Sequence, residues 1–351
     1  MNITAWSALS PYGHDATDFT AGLRARRPAV SLVPGHDGRL GCLVPDFEPR
    51  TVLGRKGTRH MDRVTALAVT AVGAVLADGP TEAGPDTALV LGTTTGSVQS
   101  MTDFTRSSLT GARPYDVEPG VIPNSVMNCA AAQCAIRHHI QGPNTTLAGG
   151  RPAALLGLLY ARRLLRAGRA RTVLCGGAEE YSTARAWLEA RSRDEQPDAG
   201  GVRPPLLGEG AAVLRLTPAE LPSARAPLAS VRAVHTRQVP EGCGTGETVR
   251  VTVVEALARA GTAAADVWAV TGSGLDAGET RALDRLFPRQ AREQLPDLGA
   301  LFGDTGAASA ALQLASVLAS AGRAPGGDAV ITSVDGQGLV AAAVLRMGEE
   351  A

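Results

Sequence analysis

Residues 142–158 read GPNTTLAGGRPAALLGL, and this segment decides the fold. Its β-branched start, from Asn144 to Leu147, predicts a strand; the two glycines at 149 and 150 predict a sharp turn, and the Ala/Leu-rich continuation predicts a helix. This arrangement often carries a nucleophile, because the turn exposes a side chain at the N-terminus of the helix. The exposed position here is Arg151, whose guanidinium is not a nucleophile. The segment therefore predicts the scaffold of an active site without its reacting group.

The composition limits the possible classes of protein. The 351 residues contain 34 Lys+Arg and 34 Asp+Glu, so the net charge is zero and no basic surface for nucleic acid is expected. The five cysteines are scattered without a CxxC motif, which predicts reduced thiols and neither a disulfide framework nor a metal site. No apolar run approaches the roughly 18 residues of a membrane span, and the N-terminus is too short and polar for a signal peptide. We expect a cytoplasmic protein that binds no membrane.

Helical patterns alternate with short β-branched runs, which is typical of a layered α/β fold. The predicted strands are 2–8, 87–92, 144–148, 171–176, 210–216, 228–235, 266–271, 328–333 and 339–346. The predicted helices are 15–25, 61–78, 124–140, 152–168, 246–260, 278–287 and 304–321. Residues 92–100 and 192–206 are predicted as loops.

Two of the predicted helices, 152–168 and 304–321, are apolar nearly all round and rich in alanine. Such helices are usually packed between two layers. Because the two resemble each other, they indicate an internal duplication, with its boundary in the Pro/Ala/Ser-rich stretch 217–227.

Several segments, in collinear order, resemble the β-ketoacyl synthase branch of the thiolase-fold family. LGRKGTRHMDRVTALAV (53–69) is similar to the helix after the family's N-terminal flap. IPNSVMNCAAAQCAIRHHIQGPNTT (122–146) is similar to its dimer-interface helix and the strand leading to the active site, and VLCGGAEEYS (173–182) to its central strand end. The resemblance implies a thiolase fold, a duplicated five-layer αβαβα sandwich with halves over 1–220 and 221–351.

The resemblance also implies where catalytic residues should be. Active members of the family use one cysteine to take the acyl chain and two histidines to stabilise the enolate formed on decarboxylation. Here the cysteine position falls on Arg151, and the histidine positions fall on Thr271 and Asp304. The closing glycine-rich loop has become SVDGQG, 333–338. All three catalytic positions are therefore lost, and the resemblance implies no catalysis by this chain alone.

Arg151 has two interpretations. It could be a surface arginine that caps a loop, with the alignment displaced by one or two residues. Alternatively, an arginine at a helix N-terminus is disfavoured by the helix dipole and needs a partner. Because the family's geometry brings positions 151 and 304 to one cavity, the resemblance implies an ion pair between Arg151 and Asp304.

Within the family, the lost catalytic set resembles the chain-length factors, or ketosynthase β-subunits, of type II polyketide synthases. These pair with an active ketosynthase α-subunit and shape its acyl tunnel. The resemblance implies an interface helix over 122–136, an antiparallel pairing of the 144–148 strand with the partner's, and no cofactor of the chain's own. The growing chain would be delivered on the phosphopantetheine of an acyl carrier protein that docks mainly on the partner. The side chains implied to face the tunnel are Pro123, Val126, Met127, Cys129, Ala130 and Gln133.

Two other hypotheses remain open from the sequence. The chain could be an independent acyltransferase or condensing enzyme that uses another nucleophile, for which Cys129 is the rival candidate, although a cysteine on an apolar helix is usually a core residue. It could also be a stand-alone lipid-binding module. The chain is shorter than expected of the aromatic-polyketide factors, which favours the subgroup that makes reduced, polyene chains.

Overall fold

The computed structural model describes residues 1–35, 38–78, 83–194, 205–221 and 226–349. The described residues form eleven strands: β1 (Asn2–Leu9), β2 (Ser31–Leu32), β3 (Leu40–Gly41), β4 (Thr87–Thr93), β5 (Asn144–Ala148), β6 (Thr172–Glu179), β7 (Gly210–Thr217), β8 (Ala229–Gln238), β9 (Val267–Thr271), β10 (Asp328–Val334) and β11 (Leu339–Met347). They form twelve α-helices: α1 (Ala16–Ala25), α2 (Pro49–Leu53), α3 (Arg63–Ala77), α4 (Val98–Thr110), α5 (Cys129–His138), α6 (Ala153–Arg166), α7 (Thr183–Asp194), α8 (Thr245–Ala260), α9 (Ala277–Leu286), α10 (Arg289–Glu293), α11 (Leu298–Phe302) and α12 (Ser309–Ala319).

Nine strands are hydrogen-bonded in the order β5-β4-β6-β7-β1-β8-β11-β10-β9. Two blocks of this sheet repeat one pairing pattern. In β4-β6-β7-β1 and in β9-β10-β11-β8, the first pair is parallel and the next two are antiparallel. The blocks meet where Asn2 and Ile3 of β1 pair with Ser230 and Ala229 of β8. This repeat is the duplication that the sequence predicted.

Helices α6 and α12 form the middle layer. Every residue of α12 from Ser309 to Leu318 is buried, and its apolar side chains share one core with α6 and with strands of both blocks. A second core packs α3 and α5 against the N-terminal block, and a third packs α8 and α9 against the C-terminal block. The order of layers is thus helix, sheet, helix, sheet, helix, as expected of the thiolase fold.

Two glycines of β6 are required by close backbone packing. A Cβ atom on Gly176 would lie 2.0 Å from the carbonyl oxygen of Ala212 in the neighbouring strand β7, and one on Gly177 would lie 2.2 Å from that of Ala307. Real Cβ contacts are essentially never this short. Gly176 therefore permits the close approach of β7, and Gly177 lets the turn before α12 lie directly on the central strand.

The strand predictions are close to the observed strands, but two helix predictions and one loop prediction need correction. The predicted helix 124–140 is a 3₁₀ turn, Pro119–Ser125, followed by the shorter α5. The predicted helix 304–321 begins only at Ser309, after a 3₁₀ turn. The predicted loop 92–100 includes the start of α4, a helix that the sequence did not predict.

Some predictions lie wholly or partly outside the described residues. The predicted polar loop 192–206 falls mostly on residues 195–204, which are not described, and the boundary stretch 217–227 includes the undescribed residues 222–225. The division at 220/221 stays a prediction. Among the described residues, no helix combines the length and apolar composition needed to cross a bilayer.

The glycine contact gives the first test. Replacing Gly177 with Ala forces its Cβ into the backbone of Ala307, which cannot move without displacing α12. We expect a loss of about 2–3 kcal/mol or more in the free energy of unfolding, measured by denaturant titration. Gly322→Ala is the matched control, because nothing lies within 4 Å of a Cβ there. Equal stability of the two variants would contradict the packing role of Gly177.

Candidate functional site at the start of helix α6

Arg151 lies between β5 and α6, at the turn where the family's cysteine stands. Gly150 adopts a left-handed conformation, φ +55°, and a Cβ there would also lie 2.9 Å from the carboxylate of Asp335. Only glycine accommodates both constraints. The turn then presents Arg151 toward the C-terminal block, where its backbone carbonyl accepts a hydrogen bond from the amide of Ala310 (3.3 Å).

The guanidinium of Arg151 binds the carboxylate of Asp304 through two hydrogen bonds. Its Nη2 donates to Oδ2 at 2.6 Å and its Nε to Oδ1 at 3.2 Å. Its Nη1 also donates to the carbonyl of Val334, at 3.3 Å. This geometry confirms the predicted ion pair, and it ties the elbow to the SVDGQG loop. The alternative of a surface arginine is wrong, since only 19% of the side chain is exposed.

Asp304 is almost completely enclosed, with 5% of its side chain exposed. Burial alone would raise the pKa of its carboxyl. The charge and hydrogen bonds of Arg151, the charge of Arg185 and the amide of Gly306 together overcome that effect and lower the pKa from 3.8 to about 2. The folded pKa lies below the unfolded one, so this stabilisation is present above pH 3.8 and is lost as the pH falls toward 2. The site is a closed ion pair at neutral pH.

A second buried arginine, Arg185, holds the backbone around Asp304. Its Nη2 donates to the carbonyl of Asp304 (2.9 Å), and its Nη1 to those of Glu180 (2.9 Å) and Gly208 (2.8 Å). The sequence analysis missed Arg185. It lies on α7 with no motif around it, and only the fold brings it to the site.

Glu179, at the end of β6, joins the two blocks beside the ion pair. Its Oε2 accepts hydrogen bonds from the hydroxyl of Thr94 and from the amide of Ala307 (3.1 Å). Burial raises the pKa of this carboxyl, although the charge of Arg185 opposes the shift. The sequence analysis noted the GGAE motif that contains Glu179 but gave the residue no function.

The structure does not bring Thr271 into the ion pair. It is buried at the end of β9, and its hydroxyl donates to the carbonyl of the next residue, Gly272, at 3.4 Å. The loop that follows is held by Glu279, which is fully buried and accepts hydrogen bonds from Ser273 and from Thr332 (2.7 Å). Arg151 and Asp304 thus bind each other, whereas Thr271 makes its own hydrogen bond at the end of β9 and takes no part in the ion pair.

The four buried cysteines offer no activated thiol. Burial raises the pKa of Cys129, whose Sγ lies 3.4 Å from Oδ1 of Asn124. Burial also raises the pKa of the fully buried Cys175, to about 12. Burial likewise raises the pKa values of Cys42 and Cys134. A thiol held in its neutral form is a poor nucleophile. The only exposed cysteine among the described residues, Cys243, lies in the loop before α8.

The six residues predicted to face the tunnel are not on one helix. Pro123 is in the 3₁₀ turn, and Val126 and Met127 are in the short non-helical segment before α5, which ends in a turn; only Cys129, Ala130 and Gln133 are on α5. Val126 and Met127 are 53% and 39% exposed, whereas Cys129 and Ala130 are buried in this chain's own core. Of the six predicted residues, those that precede α5 are therefore accessible, whereas Cys129 and Ala130 on α5 are not.

Two structural features lie close to the segment before α5. Strand β5 pairs only with β4 and forms one edge of the described sheet, so its outer hydrogen-bonding groups have no strand beside them. Large apolar side chains are also exposed nearby, on the 3₁₀ turn, the segment and α5: Ile122, Val126, Met127 and Ile136. An open strand edge beside exposed apolar side chains is characteristic of a protein–protein interface.

The duplicated layers and the closed elbow define a thiolase-fold protein of the condensing-enzyme type. The family model for the β-ketoacyl synthase N-terminal domain matches residues 1–220. The chain belongs to the β-ketoacyl synthase family. The resemblance predicted from the sequence is thereby confirmed.

Known proteins agree with this assignment. A chain of the ishigamide ketosynthase/chain length factor superposes with a TM-score of 0.92 at 42% identity, covering 99% of both chains. A β-ketoacyl synthase from Burkholderia phymatum superposes with a TM-score of 0.80 at 21% identity and shows the fold alone. The 3-oxoacyl-acyl-carrier-protein synthase 2 of Synechocystis is 28% identical over 64% of this chain, and the match spans 58% of that relative. The chain thus spans less than two thirds of this curated relative.

The ion pair gives the second test. Arg151→Gln leaves Asp304 buried with its principal cation removed, so we expect the free energy of unfolding to fall by about 3 kcal/mol. In the double variant with Asp304→Asn the loss should be smaller than the sum of the single losses, because no buried charge is left behind. Arg250→Gln breaks an exposed pair with Glu247 and should leave stability unchanged. If the losses in the free energy of unfolding simply add in the double variant, the two side chains do not stabilise each other.

Proposed function

We propose that the chain is a non-catalytic chain-length factor that forms a heterodimer with an active ketosynthase α-subunit of a type II polyketide synthase. The observation that carries this proposal is the Arg151–Asp304 pair, which fills two of the family's three catalytic positions with groups that bind each other. The 42% identity to a chain of a ketosynthase/chain length factor supports the same assignment.

The chemistry of the site argues against condensation by this chain alone. Decarboxylative condensation needs a thiolate and donors aimed at the enolate oxygen. Arg151 is permanently protonated, and its Nε, Nη1 and Nη2 each direct an N–H at Asp304 or Val334. Thr271 donates its hydroxyl to the carbonyl of Gly272. None of the three positions carries a nucleophile, and the hydrogen bonds of Arg151 and Thr271 are directed at protein acceptors.

The open edge of β5 and the apolar segment before α5 are the surface that we assign to the partner. An antiparallel β5–β5 pairing would satisfy the edge and extend the sheet across the heterodimer. The same contact would cover Val126 and Met127, which are exposed in this chain. Obligate interfaces are stabilised largely by the burial of apolar side chains, and strand pairing would add main-chain hydrogen bonds here.

In the assembled heterodimer the segment 122–128 limits the length of the growing acyl chain. A growing chain attached to the partner's cysteine would extend toward Pro123, Val126 and Met127. Side chains of moderate size with one flexible Met leave room for a long chain, and a bulky ring would end the tunnel early. The chain itself carries no cofactor; an acyl carrier protein docks mainly on the partner and supplies the phosphopantetheine-bound acyl group. We assign the products to the reduced, polyene class.

The chain alone should release no carbon dioxide from malonyl carrier protein. Restoring the nucleophile by Arg151→Cys should not create activity, because no group at Thr271 or Asp304 then stabilises the enolate. Carbon dioxide release is measured directly, with the active ketosynthase as the positive control. Release above a no-protein blank that disappears in Cys129→Ala would show an independent enzyme and exclude the proposal.

Larger side chains in the segment 122–128 should shorten the products. In the reconstituted heterodimer, Val126→Phe and Met127→Trp should give shorter carrier-bound chains by mass analysis, while the first condensations continue at near-normal rate. Val254→Phe is the matched control, because Val254 is similarly exposed but lies on α8, in the outer layer of the other block. Full-length products from intact Val126 and Met127 variants would show that this segment does not set chain length.

A further inference from the structure

A small cavity lies beside the C-terminal end of α6, away from the ion pair. Its volume is about 260 Å³, room for roughly eight or nine water molecules at about 30 Å³ each. Its walls come from Met1, the last turns of α6, the residues after β7 and the start of β8. Eleven residues separate Arg151 from the first arginine of this cavity, so about 16 Å of helix lies between the two sites.

Three arginines line this cavity. Arg162 and Arg166 are four residues apart on α6 and share one face of the helix, and Arg232 projects from β8. The one carboxylate in the wall is that of Glu220. None of these four residues has an ion pair with another described residue. Like charges at this helical spacing repel one another, so the arrangement favours a bound anion.

Arg162 is the least exposed of the three arginines, whereas Arg166 and Arg232 are exposed. Its side chain lines the cavity, but its Nη2 atom, which makes no hydrogen bond to any described group, is inaccessible even to water and therefore does not face the cavity. Burial lowers the pKa of this guanidinium, and the nearby charges of Arg166 and Arg259 lower it further. An anion in the cavity would offset the repulsion between these arginines.

We infer that this cavity binds the phosphate group of a small phosphorylated molecule. Arginine forks match the oxygens of a phosphate through paired hydrogen bonds. The three arginines, together with the amino group of Met1, which interacts electrostatically with all of them, exceed the single negative charge of Glu220. A dianionic phosphate would offset most of that excess. The volume admits the phosphate with a short carbon skeleton, and apolar wall residues such as Leu165 and Val231 can contact that skeleton.

The test uses the full chain, in the assembly in which it purifies, and inorganic phosphate as the probe. Phosphate should raise the midpoint of thermal unfolding of the wild type beyond the effect of chloride at equal ionic strength. The affinity measured by calorimetry should fall at least tenfold in Arg162→Gln. Glu220→Gln should bind phosphate more tightly, a gain that misfolding cannot produce. Tighter binding of glycerol phosphate than of phosphate would show that the skeleton is recognised too.

The control is Arg163→Gln, which removes a neighbouring charge of α6 that does not line the cavity. It should leave the phosphate affinity within about twofold of the wild type. Three results would overturn the inference: equal effects of phosphate and chloride, equal losses in Arg163→Gln and Arg162→Gln, or unchanged binding in Glu220→Gln. The cavity is separate from the ion pair, so none of these results bears on the chain-length-factor proposal.

Discussion

A carboxylate enclosed between the two halves of the chain imposes the arrangement around it. Asp304 is held ionised at a position where water cannot solvate it, and this is possible only because Arg151 binds both of its oxygens. Arg185 then fixes the backbone on either side, through the carbonyls of Asp304 and Gly208. The elbow before α6, the turn before α12 and the start of α7 are therefore held in one geometry by charge.

The scaffold around this pair is held by contacts that involve no catalytic chemistry. Gly177 allows the turn before α12 to lie directly on the sheet, and Glu179 joins that sheet to the amide of Ala307. These contacts depend on backbone shape and on buried hydrogen bonds, not on any catalytic side chain. The catalytic positions could therefore be replaced without loss of the layers, provided that each replacement kept the local charges balanced.

The sequence predicted the layers and the ion pair because both leave local signals. Alternating strands and apolar helices are visible in the periodicity, and the motif around Arg151 fixed its place in a known cavity. The segment before α5 could not be predicted in this way. Its apolar spacing continues that of the helix, but Asn124 is buried and its side chain binds the carbonyl of His60, which holds the chain out of helical geometry. Helix α4 escaped prediction for a different reason: none of its residues is buried, and its sequence, VQSMTDFTRSSLT, is rich in serine and threonine, which have low helix propensity.

The Arg151–Asp304 pair also restricts how the sequence of the chain can change. Under the proposed function, the family's catalytic set would need a cysteine at 151 and histidines at 271 and 304. Changing Arg151 first strands a buried carboxylate, and changing Asp304 first strands a guanidinium that is largely buried. Every route that changes one residue at a time therefore passes through a less stable protein, and selection for folding alone opposes it. Two residues 153 positions apart in the chain can change safely only together.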